Sequence, residues 1–196
     1  MKVGDVAIFH QGLESVGERL IAKSLDDRIG CAILVETLRR LKQTPHEIYF
    51  VFSVQEETTS VGARTAAYSI DPDLAIAVDV TGTGDTPKAL PMAVEIGKGP
   101  AIKVRDAGMI ADPRVKNWMV QRAEAAKIPH QLEILPFGST DARAVQGVRE
   151  GVPSGAVSIP ARYIHSQVEM VDLADVENTV KLLLELLKKP IVISNE

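Results

Sequence analysis

The run EIYFVFSV at Glu47–Val54 constrains the fold more than any other part of the sequence. It is short, almost continuously apolar and rich in β-branched and aromatic side chains, which predicts a strand buried on both faces in the centre of a sheet. Before it, apolar residues recur at helical spacing from Arg28 to Lys42, and the basic end of this stretch suits a helix C-terminus. After it, Ser60–Ile70 is predicted to be a helix capped by Ser60, and Leu74–Val80 a second buried strand.

The rest of the chain continues this alternation. Further strands are predicted at Ala101–Arg105, Gln131–Leu135 and Val152–Ile159, and helices at Pro113–Lys127 (begun by Asp112), Thr140–Gln146 and Asp172–Lys189. The fold class is therefore α/β: a three-layer sandwich of a mostly parallel sheet with helices on both faces. The opening VGDVAIF at Val3–Phe9 has the pattern of one strand from a different unit. We therefore expect residues 1–20 to be the remnant of a second domain and residues 21–196 to form the main domain.

Composition narrows the function classes. The chain has 22 basic and 26 acidic residues and a formal charge of −4, the wrong sign for a phosphate-binding surface, so nucleic acid is not an expected partner. Its apolar runs are too short for a signal peptide or a transmembrane helix, so no membrane partner is expected. Cys31 is the single cysteine, which excludes a disulfide framework and favours a cytoplasmic location. Any metal site must therefore be built from His, Asp and Glu.

Acidic residues gather where predicted elements begin or end: Asp26 and Asp27 before the first helix, Glu56 and Glu57 after the first strand, and Asp79 near the end of the second. In open α/β sheets, ligands bind beyond the carboxyl ends of strands, so these points can converge on one crevice, with His165 joining them. Carboxylates brought together without a cation repel one another. Glu56 and Glu57 point to opposite faces of a continuing strand, so both reach one site only if the chain turns there.

Each of these residues or motifs, taken alone, also has an interpretation that involves no function. Acidic pairs usually lie on a solvated surface, and His165 by itself is as consistent with a hydrogen-bonded core histidine as with a ligand. His10, His46 and His130 lie in polar stretches typical of exposed sites. TGTGD at Thr81–Asp85 lacks the lysine and the following helix of a phosphate-binding loop, so an ordinary turn is favoured. A glycoside hydrolase site needs two carboxylates on either side of a sugar and no metal. The histidine among these carboxylates, His165, does not favour such a site.

Six blocks in a fixed order resemble peptidase family M42, the glutamyl aminopeptidase, endoglucanase M-like and TET enzymes. They are SLDDRIG at Ser24–Gly30, VQEE at Val54–Glu57, AVDV at Ala77–Val80, IPHQ at Ile128–Gln131, GSTDA at Gly138–Ala142 and IPARYIHS at Ile159–Ser166. The resemblance extends from about Val3 to the C-terminal helix. It implies a zinc-peptidase-like fold, short peptides as substrates, zinc or cobalt as cofactor, and homo-oligomers.

The resemblance also assigns roles to residues. It implies that Asp26 bridges two divalent ions, that Glu57 and His165 complete one ion's ligands, and that Asp79 binds the other. Glu56 matches the general base that takes a proton from water. Asp27 matches a residue that follows a cis peptide bond, and Asp141 one that lines the same crevice.

The chain departs from the family at its N-terminal end. Family members are longer and carry a His-x-Asp pair and an inserted dimerisation domain ahead of the block that begins at Lys23. We therefore interpret the chain as N-terminally truncated, with no clear replacement for that histidine; His10 is an improbable one. The main prediction is a metal-dependent aminopeptidase that holds one ion tightly. The alternative is a truncated non-catalytic homologue that acts as a binding or assembly subunit.

Overall fold

The computed structural model describes residues 1–193, and residues 194–196, the end of the predicted main domain, lie outside the described residues. The strands are β1 (Glu14–Val16), β2 (Arg19–Ala22), β3 (Ala75–Thr81), β4 (Ala101–Arg105), β5 (Gln131–Ile134), β6 (Ser154–Arg162) and β7 (Glu169–Asp172). The helices are α1 (Leu25–Arg40), α2 (Val61–Ile70), α3 (Pro113–Ala125), α4 (Asp141–Val145) and α5 (Leu173–Leu187). Apart from Glu47–Val54 and Val3–Phe9, the predicted elements are present with small shifts of their ends. The strands β1, β2 and β7 were not predicted.

All seven strands belong to one sheet, in the order β1-β2-β7-β6-β4-β5, with β3 also paired to β6. Within residues 1–193, only β3–β6 and β4–β5 are parallel; the other pairings are antiparallel. The prediction of a mostly parallel sheet is therefore wrong, and the sheet is mixed. A parallel neighbour needs a crossover of about a dozen residues or more, whereas β1 and β2, and β6 and β7, are joined by much shorter links.

Helices cover both faces of the sheet, as predicted. Alternate residues of β3 point to opposite faces. Val80 belongs to the large core that α1, α3 and α5 form on one face, and Ile76 packs against it. Ala75 packs against the smaller core of α2 and the segment that begins with α4. The chain is thus a three-layer α/β sandwich.

Two predicted helix starts have different outcomes. At α3, the Asp112 carboxylate accepts a hydrogen bond of 2.9 Å from the backbone N–H of Arg114, and Pro113 follows it, which confirms the predicted cap. At α2, Ser60 is buried with a φ of 53° and makes no side-chain cap, so that prediction is wrong. Within residues 1–193, no helix combines the length and apolar character that crossing a bilayer requires.

The main error concerns Glu47–Val54, which is not a strand. It runs between α1 and α2 without regular structure, and the side chains of Tyr49 and Val54 are 57% and 66% exposed. A strand exists only when a neighbour accepts its backbone hydrogen bonds, and within residues 1–193 no such neighbour lies beside it. The predicted strand at Val3–Phe9 is also absent, and those residues are exposed.

Candidate metal centre

Three of the predicted ligands meet at one point. The Nε2 atom of His165 lies 3.1 Å from Asp26 Oδ2 and 3.0 Å from Glu57 Oε2. One ligand atom from each of the three side chains lies within 4.8 Å of the other two. The three ligand atoms are therefore close enough for a single ion to contact all of them.

Each of the three side chains comes from a different part of the fold. Asp26 lies in the first turn of α1, at a cis peptide bond to Asp27. Glu57 lies in a turn in which the Gln55 carbonyl accepts hydrogen bonds from the backbone N–H groups of Thr59 and Ser60. His165 lies in the loop between β6 and β7. The chain does turn after Val54, as convergence of the two glutamates requires.

Left-handed backbone conformations occur at two positions of this site. His165 has a φ of 63°, and Gln55, next to Glu56, also has a φ of 63°. Non-glycine residues adopt this region only where surrounding contacts hold them there, and such positions concentrate at functional sites. Both loops therefore have a sharp backbone turn at or near the residues that carry the Glu57 and His165 side chains.

Glu169 at the start of β7 is a site residue that the sequence did not suggest. Its carboxylate is buried and accepts hydrogen bonds of 2.9 Å from the backbone N–H groups of both Asp26 and His165. It thus ties together the two chain segments that carry these ligands. The available signal was an acidic residue within a short strand-like run, EMVD, directly after the IPARYIHS block.

Asp79 and Glu56 are not in the three-residue group, but each is near enough for its charge to interact with that of Asp26. Asp79 is 9% exposed near the end of β3, and one oxygen accepts a 2.8 Å hydrogen bond from the backbone N–H of Val80. Burial raises the pKa of Asp79 to about 6, against the lowering effects of the Thr140 hydroxyl, the Val80 N–H and the charge of Lys103. Burial, together with the nearby charges of Asp79, Asp141, Glu57 and Asp26, raises the pKa of Glu56 to about 8.

The two aspartates of α1 are perturbed in the same direction. Burial and the charges of Asp79 and Glu57 raise the pKa of Asp26 to about 7, against the lowering effect of His165. Burial and the charge of Asp79 raise the pKa of Asp27 to about 9, although Asp27 Oδ1 accepts a 3.1 Å hydrogen bond from the Gly30 N–H. Four carboxyl groups therefore resist ionising together at neutral pH.

These observations fit a divalent cation. Desolvation and mutual repulsion raise the pKa values of the carboxyl groups, and a nearby positive charge reverses both effects. One imidazole and two carboxylates supply the nitrogen and oxygen ligands that zinc accepts. Asp141 Oδ1 is also buried at this site and has no hydrogen-bond partner within residues 1–193. Thus the residues present match the donor set of a metal centre.

The other predicted residues behave as follows. Asp141, at the start of α4, accepts a hydrogen bond from the Ser53 hydroxyl and faces the crevice, where its charge acts on Glu56. His10 is exposed in the irregular N-terminal segment and is not in the three-residue group. His46 and His130 contact backbone carbonyls, of Lys189 and Ile128 respectively.

Comparisons with known proteins point in the same direction as the geometry. An Acetivibrio thermocellus protein is 51% identical over 185 residues, which cover 94% of this chain and 56% of that protein. The structure of the aminopeptidase APDkam598 from the archaeon Desulfurococcus kamchatkensis has a TM-score of 0.88 and 39% identity, covering 91% of this chain and 51% of that one.

A third similar protein has a described assembly. The Pyrococcus horikoshii TET1 peptidase, which assembles into a tetrahedron or a large octahedral shell, has a TM-score of 0.79 and 32% identity, covering 93% of this chain and 54% of that one. The chain spans about half the length of the curated relatives it matches. The family model described as M42 glutamyl aminopeptidase matches residues 1–182, more than nine-tenths of the sequence. The chain therefore belongs to the M42 glutamyl aminopeptidase family.

Proposed function

We propose that this chain is the metal-binding core of an aminopeptidase that removes N-terminal residues from short peptides. The observation that carries the proposal is the meeting of the His165 imidazole with the carboxylates of Asp26 and Glu57 within 3.1 Å. Family membership supports the reaction class. The chain spans about half the length of its relatives. That this chain is active by itself is therefore part of the proposal.

Asp26, Glu57 and His165 hold the tightly bound ion in this proposal, and Asp79 with Asp26 forms a weaker second site. Zinc or cobalt is the proposed metal. When bound, the ion supplies Lewis-acid activation of water and of the peptide carbonyl. Glu169 keeps the segments of Asp26 and His165 at a fixed spacing, so the ligand set is formed before the ion binds.

Glu56 is proposed as the general base. Its carboxylate accepts a proton from the attacking water and passes that proton to the amine that leaves. Burial and the surrounding carboxylates raise the pKa of Glu56 to about 8, which leaves it mostly protonated at pH 7. An ion held by Asp26, Glu57 and His165 would lower this pKa, so that the Glu56 carboxylate would be ionised and able to act as a base near neutral pH.

Peptides are the proposed substrates, which family membership supports. The cytoplasm is the proposed location, because a chain with the single cysteine Cys31 suits a reducing compartment. Homo-oligomerisation stays a prediction for this chain.

Two measurements test the proposal. The metal content of the dialysed chain is compared with that of His165→Ala, with His130→Ala as the matched histidine control. Hydrolysis of a panel of aminoacyl-4-nitroanilides is then measured with and without added zinc or cobalt. We expect metal loss in His165→Ala alone and metal-dependent release of nitroaniline. Retention of metal by His165→Ala contradicts the site, and hydrolysis that persists after chelation contradicts the chemistry.

A further inference from the structure

The turn that follows β4 is held by one buried carboxylate. Asp106 is 5% exposed, and its Oδ1 atom accepts 2.8 Å hydrogen bonds from the backbone N–H groups of Gly108 and Met109. Asp106 Oδ2 lies 3.4 Å from the ammonium nitrogen of Lys103, which is also buried. A carboxylate with an ion pair on one oxygen and backbone donors on the other has little freedom to rotate. We define residues 106–109 as the Asp106 turn, and these contacts make it a rigid support.

The Asp106 turn contacts the loop that leads into α4. We define residues 138–141 as the crevice loop. The Ser139 hydroxyl donates a 3.0 Å hydrogen bond to Asp106 Oδ1, and a backbone N–H of the Asp106 turn donates a 3.2 Å hydrogen bond to the Gly138 carbonyl. The two segments are so close that a Cβ atom placed on Gly108 would lie 2.7 Å from Ser139 Oγ. The crevice loop is therefore docked on the Asp106 turn by two hydrogen bonds and close packing.

The crevice loop also contacts the segment that carries the two glutamates of the site. The Asp141 carboxylate accepts a hydrogen bond from the Ser53 hydroxyl. Both glutamates follow Ser53 within four positions, in residues 55–60, which we define as the glutamate turn. Two backbone hydrogen bonds to the Gln55 carbonyl close this turn. A continuous series of contacts therefore connects the Asp106 turn to the glutamate turn.

We propose that Asp106 is a positioning residue for the glutamate turn. By binding Ser139 it fixes the crevice loop, and the bond between Asp141 and Ser53 passes this restraint to the turn that carries Glu57. A turn that is already ordered loses less conformational entropy when one of its side chains binds an ion, so the restraint raises metal affinity. The effect on metal affinity rests on the proposed function, whereas the restraint of the turn does not require an ion.

The contacts of Asp106 favour a positioning role over simple charge compensation. Lys103 has the Glu133 carboxylate at 2.6 Å, nearer than that of Asp106 at 3.4 Å. The hydrogen bonds that Asp106 Oδ1 accepts come from its own turn and from Ser139 of the crevice loop. Its shortest contacts are thus with loop segments rather than with the ammonium group. If Asp106 served only to pair Lys103, loss of the Ser139 hydroxyl would leave the glutamate turn unchanged.

Removal of single hydroxyl groups tests this connection in the chelator-treated chain. Ser139→Ala and Ser53→Ala each remove one hydrogen bond of the series. In either variant, we expect the amides of Thr59 and Ser60, which close the glutamate turn, to exchange hydrogen about threefold faster or more, as loss of one hydrogen bond implies. The matched control is Ser154→Ala, which removes a buried hydroxyl that donates a 2.8 Å hydrogen bond at the start of β6 and should leave this exchange within about twofold. Unchanged exchange in Ser139→Ala overturns the proposal.

A double variant separates positioning from a general loss of stability. Once Ser53→Ala has removed the last contact of the series, adding Ser139→Ala should change the exchange of the glutamate turn by less than about twofold further. Effects that multiply would show that Ser139 reaches the turn by another route, and this result also overturns the proposal. Exchange at α1 and α5 verifies that each variant is folded.

Zinc titration of the same variants tests the consequence for the ion. We expect Ser139→Ala to lower zinc affinity by about threefold or more, although the three ligand side chains are unchanged. Parental zinc affinity in Ser139→Ala overturns the proposal. A parent chain that binds no zinc contradicts the proposed function instead, and the exchange measurements then still decide whether Asp106 positions the glutamate turn.

Discussion

The backbone N–H of Asp26 donates a 2.9 Å hydrogen bond to Glu169 Oε2, across 143 positions of the sequence. The other oxygen of the same carboxylate accepts a 2.9 Å hydrogen bond from the His165 N–H. Glu169 is 3% exposed, so water does not compete for these bonds. A single buried side chain therefore sets the spacing between a carboxylate and an imidazole that are expected to share an ion.

Replacing Glu169 should weaken metal binding without removing a ligand. We expect Glu169→Ala to lower zinc affinity by about 10–100-fold, as loss of a group that orients metal ligands does. Calorimetric titration of the chelator-treated protein measures this, with the exposed Glu124→Ala as the control. Unchanged affinity in Glu169→Ala would show that Asp26 and His165 hold their positions without the carboxylate.

Replacing Glu56 should separate catalysis from metal retention. Glu56→Gln keeps the size of the side chain but cannot accept a proton, so we expect unchanged metal content and a kcat reduced by about 10²–10⁴-fold. Nitroanilide hydrolysis and metal analysis of the same preparation provide the measurement, provided the parent chain is active. Residual hydrolysis near the parental rate would remove Glu56 from the base role.

The sequence predicted most of the α/β layering because local patterns carry it. The α3 start is an example: Asp112 and Pro113 determine it through bonds within a single turn. The pattern at Glu47–Val54 failed because composition reports what a segment can bury, whereas a strand also needs a neighbour. The antiparallel β7 was missed for the related reason that four residues between two loops give no clear periodicity.

The candidate site was predictable only in part. Asp26, Glu57 and His165 were identified through their positions at element ends and the ordered motif blocks, and the fold brings them together. Glu169 was missed because its role depends on backbone N–H groups, one of them 143 positions away, and backbone contacts leave little residue-type signature. Lys103 was missed because a buried lysine within a strand is visible only after its acidic partners are placed.

The ion-free chain should lose stability as the pH rises. Asp26, Glu56 and Asp27 have folded-state pKa values of about 7, 8 and 9, all above their ordinary values. A carboxyl group with a raised pKa binds more protons when folded, so its stabilising contribution is complete below its unfolded pKa and is lost as pH rises through the folded value. We expect the Tm of chelator-treated protein to fall between about pH 4 and pH 9.

Two additions to this pH series make the cause specific. Asp27→Asn removes the group with the highest pKa and should flatten the upper part of the slope. Saturating zinc should flatten the slope further, because the cation favours the ionised carboxylates. A Tm that rises steadily across this range in the ion-free protein would be inconsistent with the buried carboxyl cluster.

The dialysed chain should retain about one divalent ion. Asp26, Glu57 and His165 offer three ligands and an open position, whereas the second site has Asp79 and the shared Asp26 without an imidazole. Elemental analysis after dialysis gives the stoichiometry. Two retained ions would mean that another residue completes the second site, with His10→Ala as the first variant to examine, and none would favour a binding or assembly subunit.

Lys103 should stabilise the fold beneath the site through a buried ion cluster. Its Nζ atom lies 2.6 Å from Glu133 Oε1 and 3.4 Å from Asp106 Oδ2, and all three side chains are at most 2% exposed. Glu133 also accepts a 2.8 Å hydrogen bond from Thr81, two positions after Asp79 on β3. Removing the cation leaves two buried carboxylates with hydrogen bonds but without a counter-charge.

We therefore expect Lys103→Met to lower the free energy of unfolding by about 3–5 kcal/mol, the usual cost of breaking a buried pair from one side. Urea unfolding of the chelated protein measures it, since bound metal would add its own stabilisation. The exposed Lys98→Met should change stability by less than about 0.5 kcal/mol. Adding Glu133→Gln to Lys103→Met should recover part of the loss, because it removes one of the two buried charges that lack a counter-charge. A larger loss in the double variant would contradict the assignment of the loss to unpaired buried charge.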